Sequence, residues 1–256
     1  MSPASDVDFG QLAAALALVA VAAAISRWRR AELEQDMAVA VVRSFLQLTA
    51  VGFVIEAIFE SDSFLFVVLL LSVMVVVGAF TARGRAKGVP GALGPLLIAL
   101  GVAVAATLGL VVALGIFDPD ARSLVPVGGM VVGNAMAAAG VALNRLGDDM
   151  RASAPAIEAA LSLGATSTHA GGLVARRSLR SGLIALIDQT KTTGVVAFPG
   201  IFVGMLLGGA EPLDAVRLQL ILLYVLLGAT SISALIAVTL AQRAFFTPAH
   251  QLREPA

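Results

Sequence analysis

Seven apolar runs, each able to cross about 30 Å of hydrocarbon as roughly 20 helical residues, decide what this chain can become. They fall near 9–26, 37–59, 63–81, 92–117, 124–144, 182–208 and 218–240. Each is continuously apolar and none alternates. That selects helices over a β-barrel, because in lipid every backbone N–H and C=O must be paired internally. With 59% hydrophobic residues, 13% charged and a mean hydropathy of +0.94, too little polar surface remains to coat a soluble core of 256 residues. The expected fold is all-α: a polytopic membrane bundle of seven transmembrane helices, forming a single transmembrane domain over 1–256. The first run lacks a basic leader and its arginines (Arg27, Arg29, Arg30) follow it, so it reads as a retained anchor and not a signal peptide.

Sidedness follows from Lys and Arg in alternate connections. One set holds Arg27, Arg29, Arg30, Arg83, Arg85, Lys87, Arg145, Arg151, Arg176, Arg177, Arg180, Arg243 and Arg253; the other holds Arg122 and Arg217. Thirteen against two places the amino terminus outside and the carboxyl terminus in the cytoplasm. The long polar interval 145–181 is then cytoplasmic as well. Arg27 to Asp36 reads as an interfacial elbow with Trp28 at headgroup depth, and the tail after Arg243 reads as short and loosely held.

Several chemistries are excluded. There are no cysteines, hence no disulfide or thiolate site, and His169 and His250 both fall outside the apolar runs. No GxxxxGK[ST] loop occurs, so the chain is not expected to be an enzyme hydrolysing nucleotide by itself. No Ser/His/Asp set or carboxylate pair suits hydrolysis. Met130, Met136 and Met205 suit apolar filling better than metal ligation, so no resident metal or cofactor is expected. The balance of 17 basic to 17 acidic residues, without a basic arm, gives no sign of nucleic-acid binding.

Polar groups inside apolar runs are costly and therefore candidates for function. Arg43 and Gln47 lie a turn apart on the second run, Asn134 is central in the fifth with Asn144 at its end, and Asp188 and Lys191 share a face of the sixth. These six are the candidate translocation path or gate. Arg43 and Lys191 could instead snorkel to headgroups and Asp188 could be interfacial; an Arg43–Asp188 pair would tie the second run to the sixth. Small residues recur as Gly129 and Gly133 in the fifth run and as Gly200, Gly204 and Gly208 in the sixth. They serve either ordinary packing within the subunit or a moving, dimer-facing surface.

In the cytoplasmic interval, Pro155 opens a short helix, Glu158 complements its positive end, and Gly164 closes it. Ile157, Leu161 and Leu163 are expected to enter a groove on another protein; the alternative is a helix folded back on its own bundle. Glu158-Ala159-Ala160 followed by Gly164-Ala165 resembles the EAA-type loop by which ABC transporter permeases dock their ATPase subunit. The leucine-proline that usually follows the glycine is absent, and Arg176 and Arg177 stand in that region.

A wider resemblance runs over about 37–240. Val42 to Leu48, Gly133 to Met136, Ala142 to Leu146, Ile187 to Gly194, Phe198-Pro199-Gly200 and Leu226 to Thr230 together resemble the FetB family of iron export permeases, whose plant relatives are linked to aluminium tolerance. The resemblance implies a homodimeric permease in the lipid bilayer of the cell membrane, driven by a separate ABC ATPase subunit that holds ATP-Mg. It implies coupling through Glu158, Ala159, Ala160, Gly164, Arg176 and Arg177. It implies export of iron or a related metal complex, or of an organic substrate such as a nucleotide sugar. An ion-coupled secondary transporter with Asp188 as coupling site, and a membrane scaffold, are the competing classes.

Overall fold

The computed structural model describes residues 9–61 and 63–253. Among them run ten helices: α1 (Phe9–Arg29), α2 (Glu34–Ser61), α3 (Phe64–Arg85), α4 (Leu93–Ala113), α5 (Ala121–Ala152), α6 (Ala154–Ser162), α7 (Ser167–Ala170), α8 (Gly172–Thr192), α9 (Gly200–Leu207) and α10 (Pro212–Ala244). Extended pairing among the described residues is limited to two isolated bridges, Thr193 with Ala197 and Phe246 with Leu252. Five of the helices, α2, α3, α4, α5 and α10, are long and apolar enough to cross a membrane. The all-α membrane architecture expected from the apolar runs is present.

The expected sixth span is not one helix. Within 182–208, α8 stops at Thr192 and the eight-residue α9 begins at Gly200. The break is local chemistry. The Thr192 and Thr193 hydroxyls donate back to the carbonyls of Asp188 (2.9 Å) and Gln189 (2.7 Å), Gly194 has φ +87, and Pro199 brings no N–H. Back-bonding hydroxyls loosen a helix end, a left-handed residue reverses it, and the residue before a proline is driven extended. Elsewhere the helices outrun the apolar runs. α5 continues to Ala152 and α10 covers 33 residues. Most of 145–181, expected as a connection holding one short helix, is therefore helical.

Chain contacts divide the molecule into two units: residues up to 62 with 200–215, and 63–199 with 216–256. In the first unit α1 and α2 lie side by side, joined by the expected elbow. Arg30 and Glu32 adopt φ 55 and φ 57, and the buried Ser26 pins the turn. Its hydroxyl accepts from the Leu33 amide at 3.1 Å and donates to Glu34 at 3.2 Å. Trp28 is exposed, with the Arg29 guanidinium 5.3 Å above its ring.

The second unit is built around α5, which packs against α3, α4 and α8. Asp120 starts α5 by accepting from the Ser123 amide at 2.8 Å. Leu96 and Leu100 of α4, with Leu143, Leu146 and Met150 of α5, are fully buried in its core. Two glycines allow backbones to touch there. A Cβ on Gly182 would stand 2.5 Å from the Ala138 oxygen, and one on Gly147 would stand 3.0 Å from the Gly88 carbonyl carbon.

The carboxyl-terminal tail, expected to be loose, is held as far as it is described, to Arg253. Phe245 and Phe246 are buried in the same core, the Thr247 amide donates to the Gln251 carbonyl at 2.8 Å, and the Arg253 amide donates to Phe245 at 2.8 Å. The aromatic pair supplies the anchor and His250, at φ 57, supplies the reversal.

Candidate functional site

α6 is a short helix with strong local instructions. Pro155 sits in its first turn, where the missing N–H is no loss. At its far end Gly164, at φ +91, donates to Leu161 at 2.9 Å while Ala165 donates to Ala160 at 3.0 Å, the two bonds of a glycine-terminated helix. The helix has two unlike faces. Ile157 is 2% exposed and belongs to the core with Met150 and Val174, and Leu161 packs against that core. This corrects the expectation that Ile157 and Leu161 enter a groove on another protein. Their groove is their own bundle, because α5 runs on far enough to offer it. On the other face Glu158, Ala159, Ser162 and Gly164 are exposed, and Leu163 is 90% exposed. Ala160 is half-buried between the two faces.

The next two helices fix α6 to the bundle. The Thr166 hydroxyl caps α7 by accepting from the His169 amide at 3.4 Å. α7 is in turn tied to the end of α10: Gln242 donates to the Thr168 carbonyl at 3.3 Å, and His250 Nδ1 lies 3.1 Å from the Ser167 hydroxyl. α8 then buries Val174, Ala175, Ser178 and Gly182 on one side and turns Arg176, Arg177 and Arg180 outward. The exposed residues of α6 and these arginines therefore stand outside the apolar core of this unit.

Of the six candidate path residues, Arg43 and Gln47 belong to the first unit and the other four to the second. Arg43 and Gln47 share an exposed face of α2, beside an apolar groove that includes Val39 and Leu46. Asp188 meets Lys191 at 3.3 Å on its own helix, with side chains 58% and 69% exposed, so each charge is balanced locally. Asn134 is half-buried, and its amide donates to the Met130 carbonyl at 2.9 Å, one turn back. Asn144 is exposed. Of the glycines, Gly129 approaches the Met74 methyl, while a Cβ on Gly133, Gly200 or Gly204 would meet nothing within 4 Å.

Other polar groups, not marked out by the sequence pattern above, lie deeper. On α10, Thr230 and Ser233 are 1% and 0% exposed, and their hydroxyls, with the Gln219 side-chain oxygen, have no hydrogen-bond partner among the described residues. Buried unsatisfied polar atoms are uncommon enough to mark a place of interest. A signal for them does exist in the chain: two hydroxyls three residues apart in an apolar run share a helix face.

Known proteins resemble this chain along nearly its whole length. The model of an uncharacterised protein family, UPF0014, matches residues 9–246. The rice "UPF0014 membrane protein STAR2" is 40% identical over 94% of this chain and 85% of its own length. "Protein ALUMINUM SENSITIVE 3" of Arabidopsis thaliana is 37% identical over 94% and 88%. The "Probable iron export permease protein FetB" of Escherichia coli is 35% identical over 94% and 93%. No solved structure matches the chain.

Proposed function

The chain belongs to the UPF0014 family of multi-pass membrane proteins, and from that premise we propose that it is the membrane subunit of an ATP-driven exporter whose ATPase is a separate protein. The observation that carries this reading is the two-faced α6. Its buried face is anchored by Ile157, and its open face presents Glu158, Ala159 and Leu163, while Arg176 and Arg177 are separately exposed on α8. A helix held firmly by one side and bare on the other is suited to take a push from a soluble partner. Thirteen basic residues in alternate connections support placing it in the cytoplasm, with the amino terminus outside.

Closure of the ATPases on ATP-Mg would press on α6. Ile157 would carry the displacement into the core that holds α5, and the α7–tail hydrogen bonds would carry it into α10. Movement of α8 along α5 over the close contact at Gly182 would alternate the openings of a homodimer. Seven crossings remain the proposed topology, with the sixth made by the interrupted α8–α9 segment. Broken helices are tolerated in lipid where they line a cavity. Arg43, Gln47, Asn134, Asn144, Asp188 and Lys191 are the proposed path, joined by Thr230 and Ser233.

The name of the Escherichia coli relative, a probable iron export permease, favours iron, or a related metal complex, as cargo. A nucleotide sugar is the alternative. Vesicles holding the permease with its ATPase, assayed side by side for metal and nucleotide-sugar flux, test both. Flux that needs ATP and the ATPase supports the proposal; flux driven by an ion gradient alone contradicts it and identifies a secondary transporter.

A further inference from the structure

Between the end of α3 and the start of α4 lies an open groove of about 640 Å³, lined by Phe80, Arg83, Gly84, Lys87, Gly91 and Leu93 among others. Arg83 is in the last turn of α3 and Lys87 lies just beyond it. No carboxylate is among the lining residues, and neither cation forms an ion pair among the described residues. The Arg151 guanidinium lies against Gly88 and adds a third cation to the same connection. The groove has an apolar floor in the buried Ala86, Val89 and Ala92. It also opens at the amino end of α4, the positive end of a helix.

The sequence behind the groove has a matching pattern. Val73, Val76, Val77 and Phe80 are each about half exposed and recur at three- and four-residue steps, so they form one apolar stripe along α3. The stripe continues through Gly84, where a Cβ would meet open space, to the two cations. An apolar strip ending in a dented, basic pocket at the end of an apolar span has the polarity of a lipid with a charged head. Basic pockets between helices at headgroup depth are suited to such heads.

We propose that this groove binds the phosphodiester of an anionic phospholipid, with one acyl chain lying along the Val73–Phe80 stripe. The site is independent of the ATPase and of the exported cargo, so it stands or falls separately from the transport reading.

Native mass spectrometry of the full chain, titrated with phosphatidylglycerol or phosphatidylcholine, tests it. Each cation near a membrane surface contributes about fivefold to binding, so Arg83→Gln with Lys87→Gln should weaken phosphatidylglycerol retention roughly 30-fold and leave phosphatidylcholine unchanged. Gly84→Leu keeps both charges and a helical backbone but fills the dent, and should also lower retention. The proposal is overturned if Arg29→Gln with Arg30→Gln has the same effect, if Gly84→Leu has none, or if both lipids respond alike. Displacement of the lipid by millimolar inorganic phosphate would identify a soluble-anion site and overturn it too.

Discussion

Two sets of glycines in this molecule do opposite things. Gly182 stands where the α8 and α5 backbones touch and Gly147 where α5 meets the α3–α4 connection at Gly88, and a Cβ at Gly182 would also come within 2.8 Å of the Ala142 Cβ. Gly200, Gly204 and Gly208 have the regular spacing that suggests packing. Yet a Cβ on the first two meets nothing within 4 Å, and Gly208 approaches only oxygens of its own helix. Regular spacing reports a capacity for close approach, whereas contact depends on what faces the stripe. The two faces of α6 repeat the contrast on a smaller scale, with Ile157 inside and Leu163 outside.

Filling one glycine of each set should separate them most widely. Gly182→Leu must displace the α5 backbone and should lower stability by about 3 kcal/mol or more, read as thermal unfolding in detergent. Gly204→Leu should leave that transition in place; an equal loss would mean that the α9 stripe is packed after all. Next comes α6. Ile157→Ala should destabilise the docking of this helix by about 2–4 kcal/mol, visible as faster hydrogen exchange over 154–170. Leu163→Ala should leave exchange unchanged and reduce permease-dependent ATP hydrolysis.

A smaller effect is expected at Asp188. Its pair with Lys191 is largely solvent-exposed, so Asp188→Ala should change stability by less than about 1 kcal/mol. A transport defect without a stability defect would then mark the carboxylate as part of the path. The smallest effect belongs to Asp120. Hydrogen bonding from the Ser123 hydroxyl, and then from the Ser123 amide, holds its carboxyl below the ordinary value of 3.8. A depressed folded value means stabilisation that is present above 3.8 and lost as pH falls through the folded value. Asp120→Ala should remove that acid-limb slope, measured by thermal unfolding across about pH 5 to 3.

Much of this was legible in the chain. Continuous apolar runs identified α2 to α5 and α10, and Pro155 with Gly164 bracketed α6, because these signals act within a few residues. The break in the sixth run was also written locally, in Thr192-Thr193-Gly194 and Pro199, but the apolar residues on either side masked it. Which face of α6 is buried depends on α5 extending to Ala152, and the hold on the tail depends on a core for Phe245 and Phe246. Both are tertiary facts. The burial of Thr230 and Ser233 likewise depends on neighbours far along the chain.

The chain has no cysteine, so Leu163→Cys would carry its sole thiol, on the most exposed large apolar residue of the α6 region. The labelling rate of that thiol by a membrane-impermeant maleimide, in inside-out vesicles with and without the proposed ATPase partner, reports on docking. Rapid labelling of the permease alone, and at least tenfold protection once the ATPase is bound, is the expected result. A thiol already protected without the ATPase, or one labelled equally fast when the ATPase is bound and active, would contradict a docking role for α6.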